Sequence, residues 1–200
     1  MKRSMFLVAV LAIFAIFCVS CAGGNYRAKR PCSPCPATTT VTVYPPVTVD
    51  YSRNLGEMIA AGKYSTVSTI IDSAHFPLPT EVKGKRDVIP KVVYFGEEMM
   101  ADDVLNELDR LGLQPAKIEV LLAFGEKYAE EYTEYPLVAL GSLGFYPYGG
   151  GSVPVILWDV TAPNASAAHG ATIPRTLGPY PFAFERPWPK YARFLAVDKE

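Results

Sequence analysis

The stretch LQPAKIEVLLAFGEKYAEEYTEYPLVALGS, residues Leu113 to Ser142, decides the fold predicted for this chain. Pro115 suits the first turn of a helix, because its missing N–H has no partner there and its φ is already helical. Apolar residues then recur at helical spacing, with charged residues between them. The inner face contains Ile118, Leu121, Leu122 and Gly125, and the outer face contains Lys117, Glu119 and Glu126. The pattern predicts an amphipathic helix.

A short apolar run follows this helix. Residues 137–140 read LVAL, with Pro136 before them and Gly141 after them. A continuous apolar run of this length between a proline and a glycine is typical of a strand buried on both faces. The sequence therefore predicts a helix followed by a central strand.

The other periodic segments complete an α+β prediction. Asn54 is placed to cap a helix that runs to about Lys63, and a second amphipathic helix spans Met100 to Leu111 with Gly112 as its stop. Two or three helices are expected to pack on an antiparallel sheet. The strands are expected from residues 87–95, 137–142, 153–160 and 191–197. Pro90 predicts an edge position for the first of these. This arrangement is similar to C-type-lectin-like domains at the level of fold, which implies no function.

Several motifs resemble one family. PAKIEVLLAFGEKY and YPLVALGS resemble segments of an uncharacterised bacterial protein family that is common in small-genome, candidate-phylum bacteria. The resemblance extends to DYSRNLGEMIAAGKY, SAHFP, VLNELDRLGLQPA and the C-terminal YARFLAV. It implies no activity, cofactor or catalytic residue. Between these motifs the chain contains a Pro- and aromatic-rich insert, residues 146–190.

The N-terminus predicts export and lipid anchoring. Lys2 and Arg3 precede an apolar run that ends in Val19-Ser20-Cys21. A positive start, a short apolar core and small residues before a cut are typical of a secretory signal. The ending resembles a bacterial lipobox, with Cys21 as the acylated (palmitate-type) first residue of the mature chain. The alternative is an uncleaved membrane helix, because the run is close to the lower limit of about 17 residues for a bilayer span.

Three segments follow from this interpretation. Residues 1–20 are the signal peptide, residues 21–49 are a Pro- and Thr-rich linker, and residues 50–200 are a single globular domain. The linker composition has little from which to build a core. Its β-branched run at residues 38–43 is the part that could instead add an edge strand. The expected location is the cell envelope, on the outer membrane or cell surface.

The charge balance excludes one class of partner. The formal net charge is −1, and it becomes −3 once Lys2 and Arg3 leave with the signal peptide. A mildly acidic chain without a basic patch is a poor ligand for nucleic acid, which binds mainly through its phosphates.

The pair Cys32 and Cys35 allows three interpretations. A local disulfide formed after export fits an oxidising compartment. A redox pair needs a helix N-terminus beside a βαβ unit, whereas Pro31 and Pro36 flank this pair. A metal site needs about two further ligands, and the chain has only His75 and His169, both distant in sequence. The disulfide is the prediction, and no metal is expected.

The sequence contains the residue types that a hydrolase needs. Ser142, His169 and Asp159 supply the residue types of a catalytic triad, but Ser142 lacks the glycine two positions before it that marks a nucleophile elbow. His75, beside Phe76, is interpreted as a packed, hydrogen-bonded residue, with a ligand or base role as the alternative. No catalytic residue is predicted.

The C-terminal segment is dense in aromatic residues with cations between them. Its candidate ligand surface consists of Phe182, Phe184, Arg186, Trp188 and Tyr191. Such residues bind sugars or peptides when exposed, and the alternative is a sheet with inward-facing aromatics.

The function predicted from sequence is a membrane-tethered, extracytoplasmic lipoprotein of the binding or envelope-structural kind. Its expected partners are the membrane, through Cys21, and an envelope polysaccharide or protein. No cofactor is expected. There are two alternatives. One is an envelope hydrolase based on Ser142 and His169, and the other is a thiol-redox lipoprotein based on Cys32 and Cys35.

Overall fold

The computed structural model describes residues 39–129, 136–145, 150–158, 174–181 and 183–199. These residues belong to one compact unit. No helix among them combines the length and the apolar character that crossing a bilayer requires.

Three helices lie in the described part of the chain. They are α1 (Leu55–Ala61), α2 (Ala101–Arg110) and α3 (Ile118–Lys127). Asn54 caps α1 as predicted, because its side chain accepts from the Glu57 N–H while the Glu57 carboxylate accepts from the Asn54 N–H. The chain leaves α2 through Gly112, whose φ of 73° suits a residue without Cβ.

The prediction that Pro115 begins α3 is wrong. Pro115 ends a short strand that pairs with the C-terminal strand, and the Ala116 N–H donates to the Leu195 carbonyl. The helix begins only after Lys117. A local preference for a helical start is overridden here by pairing with residues about 80 positions away.

The strands are numbered in chain order. They are β1 (Thr40–Val43), β2 (Val47–Asp50), β3 (Thr66–Val67), β4 (Lys85–Val88), β5 (Lys91–Tyr94), β6 (Leu113–Pro115), β7 (Leu137–Val138), β8 (Gly144–Phe145), β9 (Gly151–Trp158), β10 (Arg175–Pro181) and β11 (Arg193–Asp198). Among the described residues, nine of them form one sheet in the order β1-β5-β11-β7-β9-β10-β3, with β6 paired to β11 and β8 to β9. The ladders are antiparallel except β11–β7 and β10–β3. The α+β class is confirmed, and the four predicted strand regions contribute the adjacent strands β5, β11, β7 and β9.

The region 87–95 differs from its prediction in two ways. It is split at Pro90 into β4 and β5, and β4 pairs with β2 in a separate small sheet. β5 is not an edge strand, because it lies between β1 and β11. Pro90 is accommodated in the connection, where its carbonyl accepts from the Tyr44 N–H.

The predicted linker is too long at its C-terminal end. Its last residues form β1 and β2, and Val47 and Val49 of β2 are fully buried. Alternating β-branched residues supply a buried face, so the chain joins the fold before Asp50. The alternative of an added edge strand at residues 38–43 is confirmed for Thr40–Val43.

The large sheet is covered on both faces. Leu137 and Ile156 face a cluster with α1, α3 and β2, whereas Val138 and Val155 face a cluster with α2 and Trp188. Neighbouring residues of a strand point to opposite faces, which accounts for the division. The predicted core residues Leu121, Leu122, Val138 and Leu140 are all buried. The strand after α3 is therefore central and two-sided, as predicted.

Candidate functional site

A polar cleft lies between α3 and the small sheet. It has a volume of about 620 Å³ and is lined by Thr48, Asp50, Arg53, Lys85, Ala123, Glu126 and Lys127. The volume falls within the roughly 300–1,000 Å³ of ligand pockets, although those are mostly apolar. Three cations and two carboxylates in the lining favour a charged or strongly polar ligand.

Arg53 crosses this cleft. Its Nη1 lies 3.0 Å from Oε2 of Glu126, and its Nε lies 3.7 Å from Oδ2 of Asp50. Asp50 is further held by the hydroxyl and N–H of Ser52, and these hydrogen bonds lower the pKa of its carboxyl group. Lys85 lies 3.9 Å from Asp50 and its side chain is 70% exposed. Lys85 is thus the cation least committed to the protein and the one best placed to contact a ligand.

Glu119 lies beneath the same cleft. It lines the narrow space against Met58 and Ala123, and it is only 4% exposed. Burial raises the pKa of its carboxyl group, while a hydrogen bond with the Tyr51 side chain and the charge of Lys117 oppose that shift. The prediction that Glu119 lies on the exposed face of α3 is wrong. The helix is covered by β2 on the side where a solvated face was expected.

A buried cation joins α1, α3 and β10. The guanidinium of Arg175 donates to the Gly62 carbonyl and, over 2.6 Å, to the Gly125 carbonyl, and it lies 5.0 Å from the Tyr64 ring. Burial lowers the pKa of Arg175 and raises that of the Tyr64 hydroxyl. The carbonyls accepting these bonds lie at or near helix C-termini, where the helix dipole favours a cation. This cluster has a structural role, because its polar atoms face the interior.

Ser142 is used by the fold. Its hydroxyl accepts a 2.8 Å hydrogen bond from the Ile118 N–H, the first N–H of α3. Lys117, at the N-cap position, makes no side-chain capping bond, so Ser142 caps the helix from a distant part of the chain. His169 and Asp159 lie outside the described residues, as do Cys21, Cys32 and Cys35.

The predicted aromatic surface is not assembled in the form expected. Trp188 is 2% exposed and packs against Tyr180 and Phe194, so it belongs to the core and not to a ligand surface. Its backbone pairs with Met99, which draws the side chain under α2.

The other members of that surface are divided. Phe184 is half-buried against the same cluster, whereas Arg186 and Tyr191 are exposed. Phe182 lies outside the described residues. The alternative of inward-facing aromatics therefore holds for Trp188 and in part for Phe184.

His75 is paired locally. Its Nδ1 lies 2.8 Å from Oδ1 of Asp72, and that carboxylate also accepts from the His75 and Ala74 N–H groups. The hydrogen bonds with His75 lower the pKa of Asp72. Within the described ranges, no group of three or more His, Cys, Asp or Glu side chains is placed to hold a metal ion.

Comparison with known proteins adds no functional assignment. No protein-family model, no curated protein and no solved structure matches this chain. The resemblance to a candidate-phylum family stays a prediction.

Sequence reasoning missed the cleft because its charges are far apart in the chain. Asp50, Lys85 and Glu126 belong to three elements, and each resembles an ordinary solvated charge in its own segment. One signal was present: Glu119 interrupts an otherwise apolar run, IEVLLAF, which indicates a helix buried almost all round with one carboxyl group inside it.

Proposed function

We propose that this protein is a membrane-tethered, extracytoplasmic lipoprotein whose domain is a non-catalytic module that binds a peptide-bearing envelope polymer. The N-terminal sequence supports the tether, through acylation of Cys21. The observation that carries the binding role is the cleft between α3 and the β2–β4 sheet, which presents charges of both signs at one open site.

The chemistry of the cleft selects the ligand class. A pure polyanion would be repelled by Asp50 and Glu126, and a pure polycation would be repelled by Arg53, Lys85 and Lys127. A ligand with both carboxylates and amines satisfies both sets, because complementary charges favour specificity and like charges oppose wrong partners. Short peptides, or glycans substituted with them, have this character. The exposed ammonium group of Lys85 is the expected contact for a ligand carboxylate.

The binding role is tested by co-sedimentation of the protein with purified murein sacculi. Lys85→Glu should raise the apparent Kd about five-fold, since it removes an attraction worth about 1 kcal/mol at an exposed site. Lys190→Glu, the same charge change outside the cleft lining, should bind as the native chain does. Equal loss in both variants, or binding by neither the native chain nor its variants, would contradict the proposal.

The tether is tested separately by metabolic labelling with an alkyne analogue of palmitate. The native chain should incorporate the label, and Cys21→Ser should not. Cys32→Ser is the matched control and should stay labelled, because Cys32 is outside the lipobox. A labelled Cys21→Ser variant would remove the proposed anchor.

The hydrolase alternative has less support. The Ser142 hydroxyl is engaged with the α3 N-terminus, where it accepts a hydrogen bond from the Ile118 N–H.

A further inference from the structure

Strand β4 has one open edge. In the small sheet it pairs with β2, and no other described strand pairs with its second side. The Tyr51 N–H donates to the Gly84 carbonyl, and hydrogen-bonded pairs alternate along an antiparallel ladder from there. The N–H and C=O groups of Lys85 and Asp87 therefore point away from β2. Among the described residues, these four backbone groups have no hydrogen-bond partner.

The open edge of β4 borders the cleft. The side chains of Lys85 and Asp87 lie on the same face of the strand, because they are two positions apart. Their register partners on β2 are Asp50 and Thr48, which line the cleft together with Lys85. The first three residues of β4 are exposed. A strand added to β4 would thus place every second side chain beside the cleft.

We propose that the ligand of the cleft contains an extended peptide segment, which adds to β4 as the third strand of the small sheet. This deepens the proposed function and rests on it for one point, that the cleft binds the ligand. The N–H and C=O groups of Lys85 and Asp87 bond to two residues of the peptide, as in other cases of strand addition. The peptide runs antiparallel to β4, since that ladder is slightly more stable per residue than a parallel one.

The charges of β4 select the peptide sequence. An acidic residue fits opposite Lys85, whose side chain is 70% exposed. A basic residue fits opposite Asp87, which the Thr48 hydroxyl holds over 2.6 Å, and a second acidic residue fits opposite Arg86 on the other face. Opposite charges in directly paired positions stabilise a sheet, and like charges destabilise it. Read from its N-terminus, the preferred segment is therefore Lys-Glu-Glu.

A second copy of β4 fits this edge less well. Pairing two β4 strands about Arg86 would set Lys85 opposite the equivalent of Asp87, which is favourable. It would also bring the two Arg86 residues into a non-hydrogen-bonded pair, where Cα atoms are only about 4.5 Å apart. Charges on an edge strand are one of the means by which proteins prevent such pairing. The charge pattern therefore favours a foreign peptide.

Methylation of the peptide backbone tests the strand addition. The probe is fluorescein-Thr-Lys-Glu-Glu-Thr-amide, titrated with the detergent-solubilised full chain and followed by fluorescence anisotropy. Methylating the amide nitrogen of the second Glu removes an N–H that faces the Lys85 carbonyl, which should raise the Kd about ten-fold. Methylating that of the first Glu is the matched control. Its N–H points away from β4, so this isomer should bind as the unmodified peptide does.

An exchange of charge tests the register. Lys85→Glu should raise the Kd of the unmodified peptide about five-fold, because it removes an attraction of about 1 kcal/mol at an exposed site. Replacing the second Glu of the peptide by Lys should restore the binding to this variant. Lys190→Glu makes the same charge change outside the cleft lining and should bind both peptides as the native chain does.

The competing outcomes are distinct. Equal effects of the two methyl groups, or no binding of the unmodified peptide, would overturn the strand addition. Dimerisation of the native chain that Lys85→Glu abolishes would assign the edge to a second copy and also overturn it. Sacculus binding by a chain that does not distinguish the two methylated peptides would keep the proposed function and remove the added strand. Selective peptide binding without sacculus binding would do the reverse.

Discussion

Glu119 shows how one side chain departs from the pattern around it. It lies in the first turn of α3, where a carboxylate is favoured by the helix dipole. Yet β2 and Met58 remove it from water, and the same burial raises its pKa. Its neighbour in the cleft, Asp50, has its pKa lowered by hydrogen bonds from Ser52. Two carboxyl groups along one cleft are thus shifted in opposite directions by their surroundings.

The raised pKa of Glu119 predicts a pH-dependent cost to stability. The folded state holds this proton more tightly than the unfolded chain does, so stability falls as pH rises from the unfolded value, near 4.5, through the folded pKa. Glu119→Gln should remove that fall. Its melting temperature should match the native value near pH 4 and exceed it at pH 7, as measured by calorimetry. Glu97→Gln makes the same charge change on an exposed loop and is the control. A native chain with a higher melting temperature than Glu119→Gln at pH 7 would contradict this prediction.

The start and the capping of helix α3 depend on residues that are distant in the sequence. Its apolar repeat is visible in the sequence, and its burial was predicted correctly for Ile118, Leu121 and Leu122. The start of α3 was predicted wrongly, because Leu113–Pro115 form β6 and pair with β11. The cap of α3 was not predicted, because the capping hydroxyl belongs to Ser142, 24 residues further along the chain. Local spacing predicts the helix, while tertiary pairing sets where it begins.

The capping role of Ser142 predicts a stability loss on truncation. Ser142→Ala leaves the Ile118 N–H without its acceptor, which should lower the free energy of unfolding by about 1 kcal/mol in urea titrations. Ser73→Ala, at an exposed position, should change it by much less. The alternative outcome is that Ser142→Ala keeps native stability but loses esterase activity on a p-nitrophenyl ester. That result would favour the hydrolase alternative.

The whole molecule is assembled from pairings that cross the sequence. The sheet places β5, β11, β7 and β9 side by side, so its centre combines residues near 92, 194, 138 and 155. Each of these strands was predicted from its own apolar run, and the α+β class followed from their number. Their order was not predicted, because register depends on contacts that no single segment contains.

Contacts between distant segments also account for the wrong predictions at the scale of the domain. Val47 and Val49 were assigned to a linker on composition, yet alternation gives them a buried face against α3. Trp188 was considered for a ligand surface, yet its pairing with Met99 brings it under α2. The cleft was missed because Asp50, Lys85 and Glu126 meet only in the folded chain. Composition describes what a segment contains and not what covers it.

The cluster around Arg175 has a consequence for how this chain can vary over time. A Cβ at Gly62 would collide with the Tyr64 ring, and one at Gly125 would collide with its hydroxyl. The carbonyls of the same two glycines receive the Arg175 guanidinium. A side chain at either glycine therefore overlaps Tyr64, and loss of the Arg175 guanidinium leaves both carbonyls without this donor. A larger residue at either glycine is therefore expected to be tolerated only together with a smaller residue at position 64, so these positions should vary together.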